Sequence, residues 1–169
     1  VQHLRASSHA INTMMMTETL SLSLHGPEAT RKFAHAIASC ISCPSVITLR
    51  GQISAGKTTF ARFFVQALTA NDTLSVTSPT FTLLQQYTTP KGEVWHYDLY
   101  RLKHMEEIYE LGIDDAFEHG ITIIEWPEII NSLLPENMLD IHWQRDRDKP
   151  DCRMVDIHIP EHLHKLKGH

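Results

Sequence analysis

Residues 51–60 read GQISAGKTTF, with four residues between Gly51 and Gly56 and with Lys57-Thr58 directly after. No other stretch narrows the fold so much. Two glycines at this spacing let the backbone turn where other residues cannot, and they bring its N–H groups against phosphate oxygens. Such a loop works where a strand delivers the chain into it and a helix carries it away, because the helix N-terminus adds positive potential. Both neighbours are present. Val46-Ile47-Thr48-Leu49 is a β-branched run between Pro44 and Gly51, hence a buried strand. Beyond the loop, Phe60, Phe64 and Ala67-Leu68 recur at helical spacing. In this setting Lys57 reaches the β- and γ-phosphates and Thr58 offers its hydroxyl to Mg²⁺. The expected ligand is a nucleoside triphosphate.

The rest of the chain departs from a standard doubly wound nucleotide binder. TLSLSL (19–24) alternates as a strand does, and Gly26-Pro27-Glu28 opens a helix with an apolar face of Ala29, Phe33, Ile37 and Ile41. Residues 81–87 and 93–98 flank Thr89-Pro90-Lys91-Gly92, which predicts an antiparallel hairpin where a helix would be usual. Helices are expected over 104–111, with Gly112 after the C-terminus, over 114–119, and from about Pro127. ITII (121–124) reads as an apolar strand, and 138–144 with 153–159 as a second hairpin. The expectation is one α/β domain over 17–160, a phosphate-loop fold whose mixed sheet combines parallel strands with antiparallel hairpins and is flanked by helices. Residues 1–16 lack periodicity and read as a frayed tail, and 161–169 as a C-terminal tail.

Two carboxylates are candidates for the chemistry. Glu125 ends the apolar strand ITIIE, where an acid can hold Mg²⁺ or polarise water. Asp98, in HYDLYRL, ends the return strand of the first hairpin and is either a second such group or a partner of Arg101 or cap of the next turn. Ser78-Pro79-Thr80 supplies hydroxyls as a nucleotide-sensing loop or as a plain turn. Trp126 is a packed aromatic or a partner contact. No Asn-Lys-x-Asp base-reading motif is present, which favours ATP over GTP. The loop RDRDKPD (145–151) has two Arg whose charge its acidic residues nearly cancel, so a solvated hairpin tip fits better than a kinase lid.

Composition excludes other classes. A net charge of −5 does not suit a chain that grips nucleic acid alone. No apolar run approaches the roughly 20 residues needed to span a bilayer, and a cytoplasmic protein is expected. Three Cys do not make a disulfide framework, and Cys40-x-x-Cys43 has no second pair to complete a zinc site, so reduced thiols are expected.

GQISAGKTTF, SPTFTL, HYDLYRL and IEWPE, in this order and spacing, resemble the TsaE (YjeE) family of bacterial ATPases that help make threonylcarbamoyladenosine in tRNA. The resemblance covers roughly 19–159 and implies ATP on residues 51–59, with Gly51, Ser54, Ala55, Gly56, Lys57, Thr58 and Thr59 as contacts. It also implies Mg²⁺ on Thr58 and Glu125, Thr80 in a switch-like loop, and Asp98 in the hydrolytic site. Gly26 is matched to the region of the base and Arg153 to an Arg near the nucleotide. Ser54 stands where a Gly is common, Phe81 where Tyr is frequent, and Tyr97 where Phe is. The partners implied are TsaB and TsaD, with tRNA contacted through them and with ATP hydrolysis resetting the complex. A small-molecule kinase and a non-hydrolysing ATP-dependent switch are the alternatives.

Overall fold

The computed structural model of the chain describes residues 18–168, and the tail expected at 1–16 lies outside them. The elements run β1 (Glu18–His25), α1 (Gly26–Cys40), β2 (Ser45–Gly51), α2 (Lys57–Thr69), β3 (Leu84–Thr89), β4 (Gly92–Asp98), α3 (Glu107–Glu110), α4 (Ile113–His119), β5 (Ile121–Glu125), β6 (Leu139–Arg145) and β7 (Cys152–Ile159). Two 3-10 helices, Pro127–Leu133 and Glu161–Gly168, complete them.

The seven strands form one sheet in the order β1-β7-β6-β2-β5-β4-β3. The pairs β2–β5, β2–β6 and β4–β5 are parallel. The pairs β1–β7, β6–β7 and β3–β4 are antiparallel. This is the expected mixed α/β sheet. Its connectivity has a consequence for position. Parallel β2, β4 and β5 end at the same sheet edge, with Asp98 opposite Glu125 and Leu49 opposite Glu125 in register. Because β7 runs against β6 and β1 against β7, the start of β7 and the end of β1 reach that edge too, with His25 opposite Cys152. One edge therefore collects Gly51, Asp98, Glu125, Gly26 and Arg153, although they are scattered through the chain. Ligands in open α/β sheets bind outside such strand ends.

α1 and α2 cover one face of the sheet. Phe33, Ala34, Ile37 and Ile41 of the first helical run and Phe60, Phe64 and Leu68 of the second bury against Ile47, Leu49, Ile141 and Val155. Trp143 sits at the centre, with ring centroids 5.6 Å from Phe60 and 6.2 Å from Phe33. A second cluster on the other face packs Ile108, Ile113, Ala116 and Ile130 against Val46, Tyr97 and Ile124. Leu163 of the C-terminal 3-10 helix is buried in the first cluster.

Several boundaries differ from expectation. The strand predicted at 81–87 begins at Leu84, because Leu83 adopts φ 65° and its N–H turns back to the Pro79 carbonyl at 2.7 Å. The helix predicted over 104–111 is α-helical only for Glu107–Glu110. The helix predicted from Pro127 is 3-10, since Ile130 (φ −110°, ψ 19°) breaks the helical path.

Candidate functional site

The loop between β2 and α2 is built around three residues with positive φ: Gly51 (133°), Ser54 (62°) and Gly56 (121°). A Cβ on Gly51 would lie 2.2 Å from the Trp143 backbone oxygen, and one on Gly56 would lie 3.1 Å from the Trp143 ring. Glycine is required at Gly51 by close approach as well as by conformation. Ser54 takes a left-handed conformation that L-residues adopt at a cost. Its carbonyl accepts a hydrogen bond from Arg145 Nε at 3.1 Å, which holds the loop to β6.

The loop opens into a cavity of about 620 Å³, the walls of which include Ser54, Gly56, Lys57, Thr58 and Thr59. Thr80, Asp98 and Glu125 face it from one side, Gly26, Asp151 and Arg153 from the other. Of the residues that the sequence assigns to nucleotide, metal or hydrolysis, only Gly51 and Ala55 are not in its wall. Gly51 turns the chain beneath it, and Ala55 is buried at 1% exposure. Arg153 is tied down by Nη1 donating to the Pro150 and Cys152 carbonyls at 2.6 and 3.0 Å, and Gly26 N–H donates to the Asp151 carbonyl at 2.9 Å.

Thr58 Oγ1 donates to Glu125 Oε2 at 2.8 Å. The first turn of α2 is thereby joined to the end of β5. The other carboxylate oxygen, Glu125 Oε1, lies 2.8 Å from His96 Nε2. Asp98 accepts from Ser78 Oγ on Oδ2, which Thr80 Oγ1 also approaches at 3.4 Å, while Oδ1 accepts the Tyr100 N–H at 3.0 Å. Asp98 therefore caps the turn after β4 and also faces the cavity. Arg101, the alternative partner considered for it, stacks on exposed Phe81 with its guanidinium carbon 4.5 Å from the ring centroid.

Lys57 is buried, and its ammonium donates to the Gly51 carbonyl and, at 2.7 Å, to the Gln52 carbonyl. It also lies 4.0 Å from the Trp126 ring centroid, a cation–π contact. Burial holds its pKa below the ordinary lysine value, against the opposing pull of Glu125, Glu128 and Asp98. Trp126, at φ 56°, packs against Tyr100 with ring centroids 4.9 Å apart and planes tilted by 50°, and it lines the cavity.

Two nearly buried carboxylates, Asp98 (4% exposed) and Glu125 (2%), beside a helix N-terminus suit a divalent cation carried in with a phosphate chain. Among the described residues no three His, Cys, Asp or Glu side chains converge as a metal cage. A cation at this place would need other donors to complete its shell, which Mg²⁺ ordinarily takes from phosphate and water. Cys43 is engaged elsewhere, its thiol donating to the His119 carbonyl at 3.0 Å.

The sequence reading missed His96 as a site residue and left Ser78 as an undecided turn hydroxyl. A signal for His96 existed: it lies two residues before Asp98, so on a strand both side chains take the same face.

The family model for the threonylcarbamoyl adenosine biosynthesis protein TsaE matches residues 24–155. A Rickettsia bellii protein named tRNA threonylcarbamoyladenosine biosynthesis protein TsaE is 40% identical over 143 residues, covering 84% of this chain and 96% of that one. The Bacillus subtilis protein of the same name is 36% identical over 123 residues, covering 72% of this chain and 75% of that one. The crystal structure of Bacillus subtilis YdiB superposes with a TM-score of 0.72 at 29% identity, covering 89% of this chain and 93% of the other. Loop, carboxylates and fold thus occur together in a chain that belongs to the TsaE family of threonylcarbamoyladenosine biosynthesis proteins.

Proposed function

We propose that this chain is a magnesium-dependent cytoplasmic ATPase, weakly active alone, that supports threonylcarbamoyladenosine formation in tRNA by binding and resetting a complex of TsaB- and TsaD-like proteins. The observation that carries the reading is the Thr58–Glu125 hydrogen bond at 2.8 Å, at the head of the phosphate loop. Hydroxyl and carboxylate there face the cavity where a triphosphate seated on Gly56, Lys57, Thr58 and Thr59 would extend.

In this reading Thr58 and Glu125 hold a magnesium ion, which when bound neutralises charge on the phosphates. Lys57 leaves the Gly51 and Gln52 carbonyls for the β- and γ-phosphate oxygens, and loop N–H groups complete the cradle. Asp98, held by Ser78 and the Tyr100 N–H, is placed to orient the attacking water, with Thr80 at its side. Gly26 and Arg153 border the far end of the cavity, where the nucleoside would lie. The net charge of −5 fits a chain that meets tRNA through its partners.

The test is phosphate release from ATP with and without a TsaB–TsaD pair. Stimulated release in the wild type, weakened nucleotide binding in Lys57→Ala and retained binding with little turnover in Glu125→Ala are expected. Unchanged turnover in both variants overturns the site assignment. Phosphate transferred to a metabolite would make the chain a kinase, and ATP-dependent docking without turnover a binding switch.

A further inference from the structure

His96 is the most completely enclosed ionisable side chain beside the cavity, at 0% exposure on β4. Nothing about strand packing calls for it, because its neighbours on the same face, Val94 and Ile123, are apolar and fully buried. One edge of the ring meets Glu125, with Nε2 2.8 Å from Oε1. The other edge, Nδ1, finds no hydrogen-bond partner. A buried polar atom without a partner is costly, so a ring kept in this pose is held by what its other nitrogen does.

We infer that His96 is a positioning residue for Glu125: its Nε2–H donates to Oε1 and so turns Oε2 toward Thr58 and the cavity. The inference rests on the reading of Glu125 as a metal-holding group. A carboxylate on a strand end can rotate about its side-chain torsions, and a rotated Glu125 would lose the Thr58 contact and turn away from the cavity. Two opposed partners, Thr58 on Oε2 and His96 on Oε1, remove that freedom before any ligand arrives. Because the donor comes from β4 and the carboxylate from β5, the parallel register that sets Asp98 opposite Glu125 also sets His96 one pleat behind. The strand pair therefore supplies the carboxylate, its orienting donor and the second acid in one rigid unit.

Two amide substitutions separate this role from simple packing. His96→Gln keeps an N–H near the Nε2 position, whereas His96→Asn places its amide near Nδ1, short of Glu125. Both are polar and both leave the site residues intact. In the full-length chain, nucleotide binding is titrated in EDTA and then against Mg²⁺, and turnover is followed against Mg²⁺. The expected result is that His96→Asn raises the Mg²⁺ concentration for half-saturation by about 10- to 100-fold, as loss of a partner behind a metal ligand does. ATP binding in EDTA stays unchanged, and His96→Gln stays near the wild type.

Equal behaviour of the two variants, whether both normal or both impaired, overturns the inference. If Glu125→Gln leaves the Mg²⁺ dependence untouched, the metal reading itself fails. If it shifts that dependence and His96→Asn does not, only the positioning role fails. Should neither His96 variant fold, nitrogen NMR of the native chain decides: a proton on Nε2 supports the donor role, and a ring protonated on Nδ1 alone overturns it.

Discussion

The Lys57 ammonium lies 4.0 Å from the centre of the Trp126 ring while its protons reach the Gly51 and Gln52 carbonyls. The cation that should meet phosphate is thus held against the loop and an indole. ATP binding is expected to draw it away, changing the fluorescence of Trp126 and sparing that of Trp95 and Trp143. Trp126→Phe should bind ATP but lose this nucleotide-dependent signal. Lys57→Ala should weaken ATP binding by roughly 10- to 100-fold, the value of charge-assisted hydrogen bonds of about 1.5–3 kcal/mol. A full fluorescence response in Trp126→Phe would contradict the assignment.

Gly51 and Ser54 should both favour the smaller residue, so opposite exchanges at the two positions change stability in opposite directions. Gly51→Ala drives a Cβ to 2.2 Å from the Trp143 oxygen and should destabilise the fold by at least ~2 kcal/mol, with loss of nucleotide binding. Ser54→Gly relieves a residue at φ 62° and should stabilise by up to about 1 kcal/mol. Thermal unfolding of the two variants beside the wild type measures both signs.

Asp140 should link stability to acid pH. Burial pushes its carboxyl up, but hydrogen bonds from Thr48 and His142 and the charge of Arg50 more than offset this and leave it below the usual range. Arg50 Nε donates to Oδ1 at 2.9 Å and His142 Nε2 lies 3.0 Å from Oδ2. A depressed folded pKa gives stability that is fully present above the unfolded value of about 3.9 and is lost as pH falls through the folded one. Asp140→Asn should therefore cost about 1–2 kcal/mol at pH 7 and progressively less below pH ~4. Urea unfolding at pH 7 and pH 3 checks this, and a gap that does not change with pH counts against it.

Lys91, in the turn between β3 and β4, caps a helix distant in sequence. Its ammonium donates to the Ala38, Ser39 and Ile41 carbonyls at 2.7, 3.1 and 3.0 Å, at the C-terminal end of α1. Cations there complement the helix dipole and its unpaired carbonyls. Lys91→Met should lower stability by about 1–2 kcal/mol, with a smaller loss at high salt and no effect on nucleotide affinity.

What the chain determined by itself was local. The glycine spacing of 51–56, the strand before it and the helix after it follow from backbone freedom and periodicity, and both hairpins from alternation about turn residues. Glu125 was legible because an acid ends an apolar strand. The left-handed residues Leu83 and Trp126 were not, because their conformations are imposed by packing and no local preference announces them. Only the tertiary structure decided what meets at the cavity. The parallel run of β2, β4 and β5 and the reversal of β7 and β1 bring Gly26, Asp98, Glu125 and Arg153 to one edge. His96 became a partner of Glu125 for the same reason: a strand register sets distances between residues 29 positions apart, and periodicity along one strand carries no information about its neighbour.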